Sequence, residues 1–299
     1  MVLNSKIAHS IELNDIGVLL VGFNRPELLA ARLIELSTSN LKKLYVSIDG
    51  GEKSDYSKMR DLKGIAIDIY GDRIMDWTHH SMNKGMTRHI TEAISLVLKE
   101  QSYVVVVEDD VVLSVNFLEN ILKGLNLARS LGLNGVVSGN SQLYSSRLKN
   151  SWKIVNLPSI WGWACSRDTW AGYKFDIGQE NIEKELGSSI IWSSLDRYTK
   201  NLMINKFKRI QANPFYTWDT QLIFHLLKND FQSLSPIFSI SGNEGFGDNR
   251  AAHTSYGLPR SINNNKLNNN PIFKVTKFSK IYNLIDTNGI KHRIKRKII

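Results

Sequence analysis

Four consecutive valines, Val104 to Val107, run directly into Glu108, Asp109 and Asp110 within the stretch YVVVVEDDVVL, and this constrains the chain more than any other feature. Four β-branched residues in a row are poorly suited to a helix and suit a strand buried on both faces, as in a parallel sheet. The acids then fall at the C-terminal end of that strand, the edge where open α/β sheets bind ligands. Three adjacent carboxylates repel one another, and a positive partner should compensate them, most simply a divalent cation held by hard oxygen ligands. The plainer reading is an acidic turn after a hydrophobic strand. Against it, more apolar chain follows at once, Val111-Val112-Leu113, and unpaired charge beside apolar walls is costly.

The rest of the first half alternates strand and helix. Gly17 to Phe23 (GVLLVGF) reads as a buried strand stopped by Asn24-Arg25-Pro26, and Pro26 at a first turn with Leu29, Leu33 and Leu36 behind it starts a helix. Leu44 to Ile48 is a second strand, ending at Asp49-Gly50-Gly51, a composition that suits close approach to a ligand or a plain turn equally. Ile65 to Tyr70 alternates loosely as a third strand. Met86 to Lys99 is a helix with an apolar stripe, and Arg88 near its start runs against the dipole preference, so Lys84 and Arg88 are phosphate-contact candidates beside the reading of a solvated face. A helix capped near Asn116, with Glu119 in capping-box spacing, and a short strand at Gly135 to Ser138 complete the pattern. The alternation predicts an α/β fold, a mainly parallel, Rossmann-like sheet with helices on both faces.

The second half is aromatic. Trp161-Gly162-Trp163 suits a wall against the apolar face of a sugar or base, with core packing as the alternative for at least one indole. Residues 176 to 211 read as helical and amphipathic. Asp219 falls in the first turn of a helix after Trp218, as a cap, a dipole-compensating acid, or a general base against an indole. Ser233 to Ile240 reads as a strand, and Gly242 to Asp248, containing Gly245, is a glycine-rich loop leading toward His253.

The net charge of +10 points to an anionic partner, and the basic end KHRIKRKII admits peripheral contact with an anionic membrane surface. The single cysteine, Cys165, excludes an intrachain disulfide and a thiol-rich metal site. No stretch approaches the ~18 apolar residues of a membrane span and the N-terminus lacks a signal-peptide core, so a cytoplasmic protein, peripheral at most to the inner face of a membrane, is expected.

Taken in order, the valine strand with Glu108-Asp109-Asp110, the following Asn116-Phe117 helix, Arg88-His89 in the preceding helix and Trp218-Asp219 resemble the GT-A fold nucleotide-sugar glycosyltransferases. Within them the set is similar to the animal N-acetylglucosaminyltransferases that start complex N-glycans. The segments WGWACSRDTW, TWDTQ and NEGFGDNRAAHTS are similar to bacterial sugar transferases described as haemolytic-protein-like. The resemblance covers roughly residues 16 to 255. It implies a DXD-like motif in which Asp110 coordinates Mn²⁺ (or Mg²⁺) while Asp109 and Glu108 contact the nucleotide sugar. It further implies Asp49 at the nucleoside, Arg25 and Arg88 where positive charge meets the diphosphate, and His253 as a late metal or diphosphate ligand, with Asn24, Lys84, Trp161, Gly162, Trp163 and Gly245 as further nucleotide-sugar-binding candidates. Asp219 becomes the base of an inverting reaction, although the animal enzymes carry two adjacent acids where this chain has Asp219-Thr220. The implied partners are a nucleotide-diphosphate sugar, UDP-sugar foremost, and a glycan or lipid-linked glycan acceptor, not nucleic acid. The implied layout is a nucleotide-sugar half (1–140), an acceptor and catalytic half (141–258) and a basic, Asn-rich extension (259–299).

Two other classes fit parts of the pattern. A nucleotidyl- or phosphotransferase also needs a strand-end carboxylate and metal, but no GxxxxGK[ST] cradle is present. A non-catalytic glycan- or nucleic-acid-binding protein would use the basic surface and the tryptophans.

Overall fold

The computed structural model describes residues 9–51, 56–141, 150–245 and, for its backbone, 271–274. In chain order, β1 (Ile16–Gly22) leads to α1 (Pro26–Ser37), β2 (Leu44–Ile48) to α2 (Tyr56–Tyr70), β3 (Ile74–His79) to α3 (Met86–Glu100), and β4 (Tyr103–Glu108) to α4 (Phe117–Ser130). The second half runs β5 (Val137–Ser138), β6 (Trp152–Val155), β7 (Trp163–Ser166), α5 (Arg167–Trp170), α6 (Ile182–Gly187), α7 (Ile190–Ser194), α8 (Arg197–Ala212), α9 (Asp219–Lys228), β8 (Ser233–Pro236) and β9 (Pro271–Lys274). One sheet of nine strands joins both halves, in the order β3-β2-β1-β4-β7-β5-β8-β6-β9. The β3-β2-β1-β4 part is parallel throughout, whereas β7 runs antiparallel to both β4 and β5. The α/β architecture expected from the alternation is therefore observed, with antiparallel pairs confined to the second half and its junction with the first.

Alternation along each strand sends side chains to two separate cores. On one face Val18, Leu20, Val46, Val105 and Val107 pack against Leu29 and Leu33 of α1, Met59 and Ala66 of α2, and Phe117 and Ile121 of α4. On the other, Leu19, Val21, Val104 and Val106 pack against Ile90 and Ile94 of α3 and Leu222 and Leu226 of α9. All four valines of β4 are at most 1% exposed. Burial of this kind stabilises by roughly 2 kcal/mol per side chain, enough to hold a strand whose next residues are mutually repulsive carboxylates. A third cluster, with Leu186, Met203, Phe207 and Ile210, seats α6 and α8 on Phe224 and Leu227 of α9.

Ile65 to Tyr70, expected as a strand, is instead the last part of α2. Met59, Leu62, Ala66 and Tyr70 face the core at helical spacing, while Ile65 and Ile67 are 52% and 51% exposed. Of the three alternating isoleucines, Ile65 and Ile67 are thus surface residues and Ile69 alone packs against the core. The strand expected over Ser233 to Ile240 ends at Pro236, and β9, within the expected basic extension, pairs in parallel with β6. Asn116 stands at the N-cap of α4 without a side-chain cap hydrogen bond. Among the described residues no helix is long and apolar enough to cross a membrane.

Candidate active site

β1 lies between β2 and β4 and is parallel to both. The chain leaves β1 toward β2 and β3 on one side, and the sheet continues through β4 on the other. The strand order therefore reverses between β1 and β4, and the crevice outside their C-terminal ends is where open α/β sheets bind ligands. The residues emerging there are Asn24-Arg25 from β1 and Glu108-Asp109-Asp110 from β4. Pro26 opens α1 and leaves Arg25 as its N-cap residue in a non-helical conformation, φ −124°.

Across this crevice Arg25 reaches the acids. Its Nε donates to Asp109 Oδ2 at 3.2 Å, and its Nη2 donates to Asp109 Oδ1 and, at 3.1 Å, to Asp110 Oδ2. One positive partner of the acids is thus supplied by the chain itself, through Arg25, which the resemblance placed at the diphosphate. Burial pushes Asp109 up to about 6, against the opposing pull of Arg25. Burial, followed by the charges of Asp110, Asp109 and Asp219, pushes Glu108 well above the ordinary carboxylate range. Burial alone would lower the Arg25 guanidinium, but Asp109 and Asp110 outweigh it and raise it. Arg25 Nη1 is buried with no hydrogen-bond partner among the described residues, so the fork holds one further donor in reserve.

Residues 240–245 form the far wall. They run antiparallel to the chain after the acids, with Val112 and Gly242 exchanging backbone hydrogen bonds, Ser114 N–H donating to Ile240 and Glu244 N–H donating to Asp110. Gly245 lies so close that a Cβ there would stand 2.5 Å from Asp110 Oδ2. The wall is tied to α1 by Arg32, 2% exposed, whose Nη1 and Nη2 lie 2.9 Å from carboxylate oxygens of Glu244 and Glu35 respectively. Glu35 Oε2 in turn accepts from Leu113 N–H at 2.9 Å. Sequence reasoning missed this triangle; an arginine beside Leu33 on the apolar stripe of α1 was the available signal.

Asp219 opens α9 from the other side. Thr217 donates to its Oδ1, and Thr220 donates to the same oxygen at 3.3 Å, so both bonds fall on one carboxylate oxygen and Oδ2 takes part in neither. Trp218 before it is buried and stacks on Trp163, ring centroids 5.6 Å apart.

The remaining candidates are placed differently. Asp49 is buried, and its carboxylate accepts from the backbone N–H of Gly50, Lys84 and Gly85 at 2.9, 2.9 and 3.0 Å, so it pins the turn into α3. Lys84 pairs with Glu92 on α3 at 2.7 Å, and the Arg88 guanidinium lies 5.3 Å over the Phe215 ring. The cation brought to the acids is Arg25. Trp163 is 0% exposed, which contradicts its place in a ligand-facing wall. Gly162 adopts φ +62°, which breaks the strand alternation, so Trp161 joins the core beside α4 and Trp163 the core beside α3. Trp161 is half-buried, and its carbonyl accepts from Ser241 at 2.5 Å, beside the wall that carries Gly245. Asn24 is half-buried in the bend next to Arg25. His253 lies outside the described residues.

Among the described residues no three His, Cys, Asp or Glu side chains converge as a metal cage. The oxygen-only donors Asp109 and Asp110 fit the mode in which Mg²⁺-like ions are held by one or two carboxylates together with substrate phosphates.

No protein-family model matches the chain, and no curated protein matches it. Several solved structures are similar at low identity. A mannosyltransferase from Pyrobaculum calidifontis in complex with GDP-Man and Mn²⁺ is 11% identical with a TM-score of 0.41, over 71% of this chain and 69% of that one. S. aureus TarS 1–349 is 10% identical with a TM-score of 0.42, over 74% of this chain and 57% of that one. Glucosyl-3-phosphoglycerate synthase from Mycobacterium tuberculosis, in complex with Mn²⁺, UDP and glucosyl-3-phosphoglycerate, is 15% identical with a TM-score of 0.34, over 52% of this chain and 57% of that one.

Proposed function

We propose that the chain is a metal-dependent glycosyltransferase that moves a sugar from a nucleoside-diphosphate sugar to a hydroxyl of a glycan or glycoconjugate, with inversion. The observation that carries this reading is the meeting of Arg25, Asp109 and Asp110 at the strand-order reversal, with the Asp219 carboxylate at the start of α9 close enough for its charge to be felt by the adjoining Glu108. A site with a fixed cation, a carboxylate for a metal–phosphate complex and a second carboxylate across the crevice has the groups that sugar transfer needs.

In this mechanism Asp110 is the residue that would hold Mn²⁺ or Mg²⁺. The bound metal supplies Lewis-acid stabilisation of the charge that develops on the departing phosphate. Arg25 stays on Asp109 through Nε and gives up its contact with Asp110 Oδ2. The acceptor hydroxyl attacks the anomeric carbon as its bond to phosphate breaks, through an oxocarbenium-like state of the kind met in glycoside hydrolysis. Asp219 Oδ2 receives the hydroxyl proton, with Thr217 and Thr220 orienting the carboxylate through Oδ1. The 240–245 wall and Trp161 border the sugar and limit the access of water, the competing acceptor.

Thermal-shift measurements with UDP-, GDP-, dTDP- and CMP-sugars, with and without Mn²⁺, test the reading, because a ligand bound by the folded form alone raises the melting temperature. One nucleotide sugar should raise it in a metal-dependent way. No shift by any of them, with metal present, rejects the donor site. Peripheral contact of the basic C-terminal tail with an anionic inner membrane face is a separate part of the proposal, tested by vesicle co-sedimentation.

A further inference from the structure

The segment 213–216, which ends three residues before Asp219, places two large aromatic side chains at the surface: Phe215 is 51% and Tyr216 40% exposed. They are held in place. Thr87 at the start of α3 donates to the Phe215 carbonyl at 3.1 Å, and Phe215 N–H donates to Asn213 Oδ1 at 3.1 Å. Each ring carries its own arginine. Arg88 Cζ lies 5.3 Å over Phe215, while Arg209 Cζ lies 5.0 Å over Tyr216 and its Nη1 donates to the Tyr216 hydroxyl at 2.9 Å. The helix supplying Arg209, α8, also carries Arg197, Lys200, Lys206 and Lys208, and has no Asp or Glu from end to end. The chain then turns inward through buried Thr217 and Trp218 and re-emerges at Asp219. α3 follows β3, which is parallel to β4, so it begins at the same edge of the sheet as that where β4 ends.

Exposed aromatic faces stack on the apolar faces of sugar rings, and guanidinium forks bind carboxylate or phosphate through paired N–H groups. An acid-free basic helix beside them excludes cationic ligands and gives a neutral glycan no use for the charge. We propose that Phe215, Tyr216, Arg88 and Arg209 form the acceptor platform of the site, and that the acceptor is an anionic glycan, its negative groups carried on the sugar rings as carboxylate or phosphate. This rests on the glycosyltransferase reading above and names the substrate class of that same site.

Titration calorimetry of the full chain and of Phe215→Ala, Tyr216→Ala and Arg209→Gln tests it with five probes: maltohexaose, oligogalacturonate, a phosphorylated oligomannose, polyphosphate and phosphatidylglycerol vesicles. The three side chains are exposed, so ligand-free melting temperatures of the variants should stay near that of the parent. Oligogalacturonate or the phosphorylated oligomannose should bind about tenfold more tightly than maltohexaose, which lacks charge, and than polyphosphate, which lacks rings, as expected for one added charge-assisted pair. Whichever of the two binds identifies the charged group, and each variant should lose about tenfold for it. The proposal is overturned by equal binding of polyphosphate, by preference for maltohexaose, by binding to vesicles alone, by no binding at all, or by variants that bind like the parent. The donor thermal shift of the unaltered chain is measured alongside: its absence rejects the glycosyltransferase reading, whereas its presence with insensitive variants rejects only the platform.

Discussion

Arg25 grips Asp109 through two guanidinium nitrogens although 84 positions separate them in the chain. The contact ties the end of β1 to the end of β4 and neutralises part of the acidic cluster without any ligand. Removing the cation leaves two buried carboxylates uncompensated. Arg25→Gln should therefore lower the stability in denaturant by about 3 kcal/mol, the order expected for breaking one side of a buried pair. It also releases Asp110 Oδ2, so Mn²⁺ alone should raise the melting temperature of the variant by more than that of the parent. Equal shifts in the two proteins would show that Arg25 and the metal do not compete for Asp110.

Asp219→Asn removes the proposed proton acceptor while keeping its shape. Turnover should fall about 10²–10⁴-fold, with the donor-induced thermal shift retained. A variant with normal kcat would remove Asp219 from the chemistry, and loss of the donor shift would move it into the donor site.

Gly245→Ala puts a Cβ where only 2.5 Å separates it from Asp110 Oδ2 and 3.2 Å from Asn243 Oδ1. The Asp110 carboxylate has to shift, and a displacement of this kind should reduce metal-dependent turnover by about 10–100-fold. Steady-state assays across Mn²⁺ concentrations check this. Unchanged kinetics would show that Asp110 tolerates movement and is not an ordered ligand.

His89 governs an acid-sensitive part of the stability. It is buried and lies 2.8 Å from Ser47 Oγ through Nε2, and burial lowers its pKa from 6.5 to about 4. Below pH 6.5 the unfolded chain takes up a proton that the folded chain refuses, so stability is lost as the pH falls from 6.5 toward 4. The loss from this one group reaches about 3 kcal/mol. Denaturant unfolding of the parent and of His89→Gln between pH 4 and 8 should show curves that converge toward acid, since the variant lacks the penalty. A constant difference across that range would contradict it.

Much of the first half was legible because local pattern and tertiary role agree there. The run Val104 to Val107 is buried on both faces, and Pro26 with Leu29, Leu33 and Leu36 forms the helix that their spacing predicts. The misreading at Ile65 to Tyr70 came where β-branched residues sit on the outside of a helix whose core face, Met59, Leu62, Ala66 and Tyr70, was the informative one. Of the candidate site, local pattern marked the acids, while Arg25 entered through the resemblance alone. Their partner, Arg25, is assembled by the parallel pairing of β1 with β4, and the Arg32–Glu35–Glu244 triangle by a loop returning from the far end of the sheet. Only Arg32 and Glu35, three apart on α1, leave a local spacing to read; the contacts of Arg25 and Glu244 leave none. Trp161 and Trp163 looked equivalent in sequence, and the positive φ of Gly162 separates them into opposite cores.

The central claim is that Asp110 joins a divalent cation to a nucleoside diphosphate at the β1–β4 crevice. Titration of the full chain with UDP and GDP in the presence and absence of Mn²⁺, repeated on Asp110→Asn, tests it most directly. The account predicts metal-dependent binding of one nucleotide to the parent and its loss in the variant. Metal-dependent binding of equal strength to Asp110→Asn would contradict it.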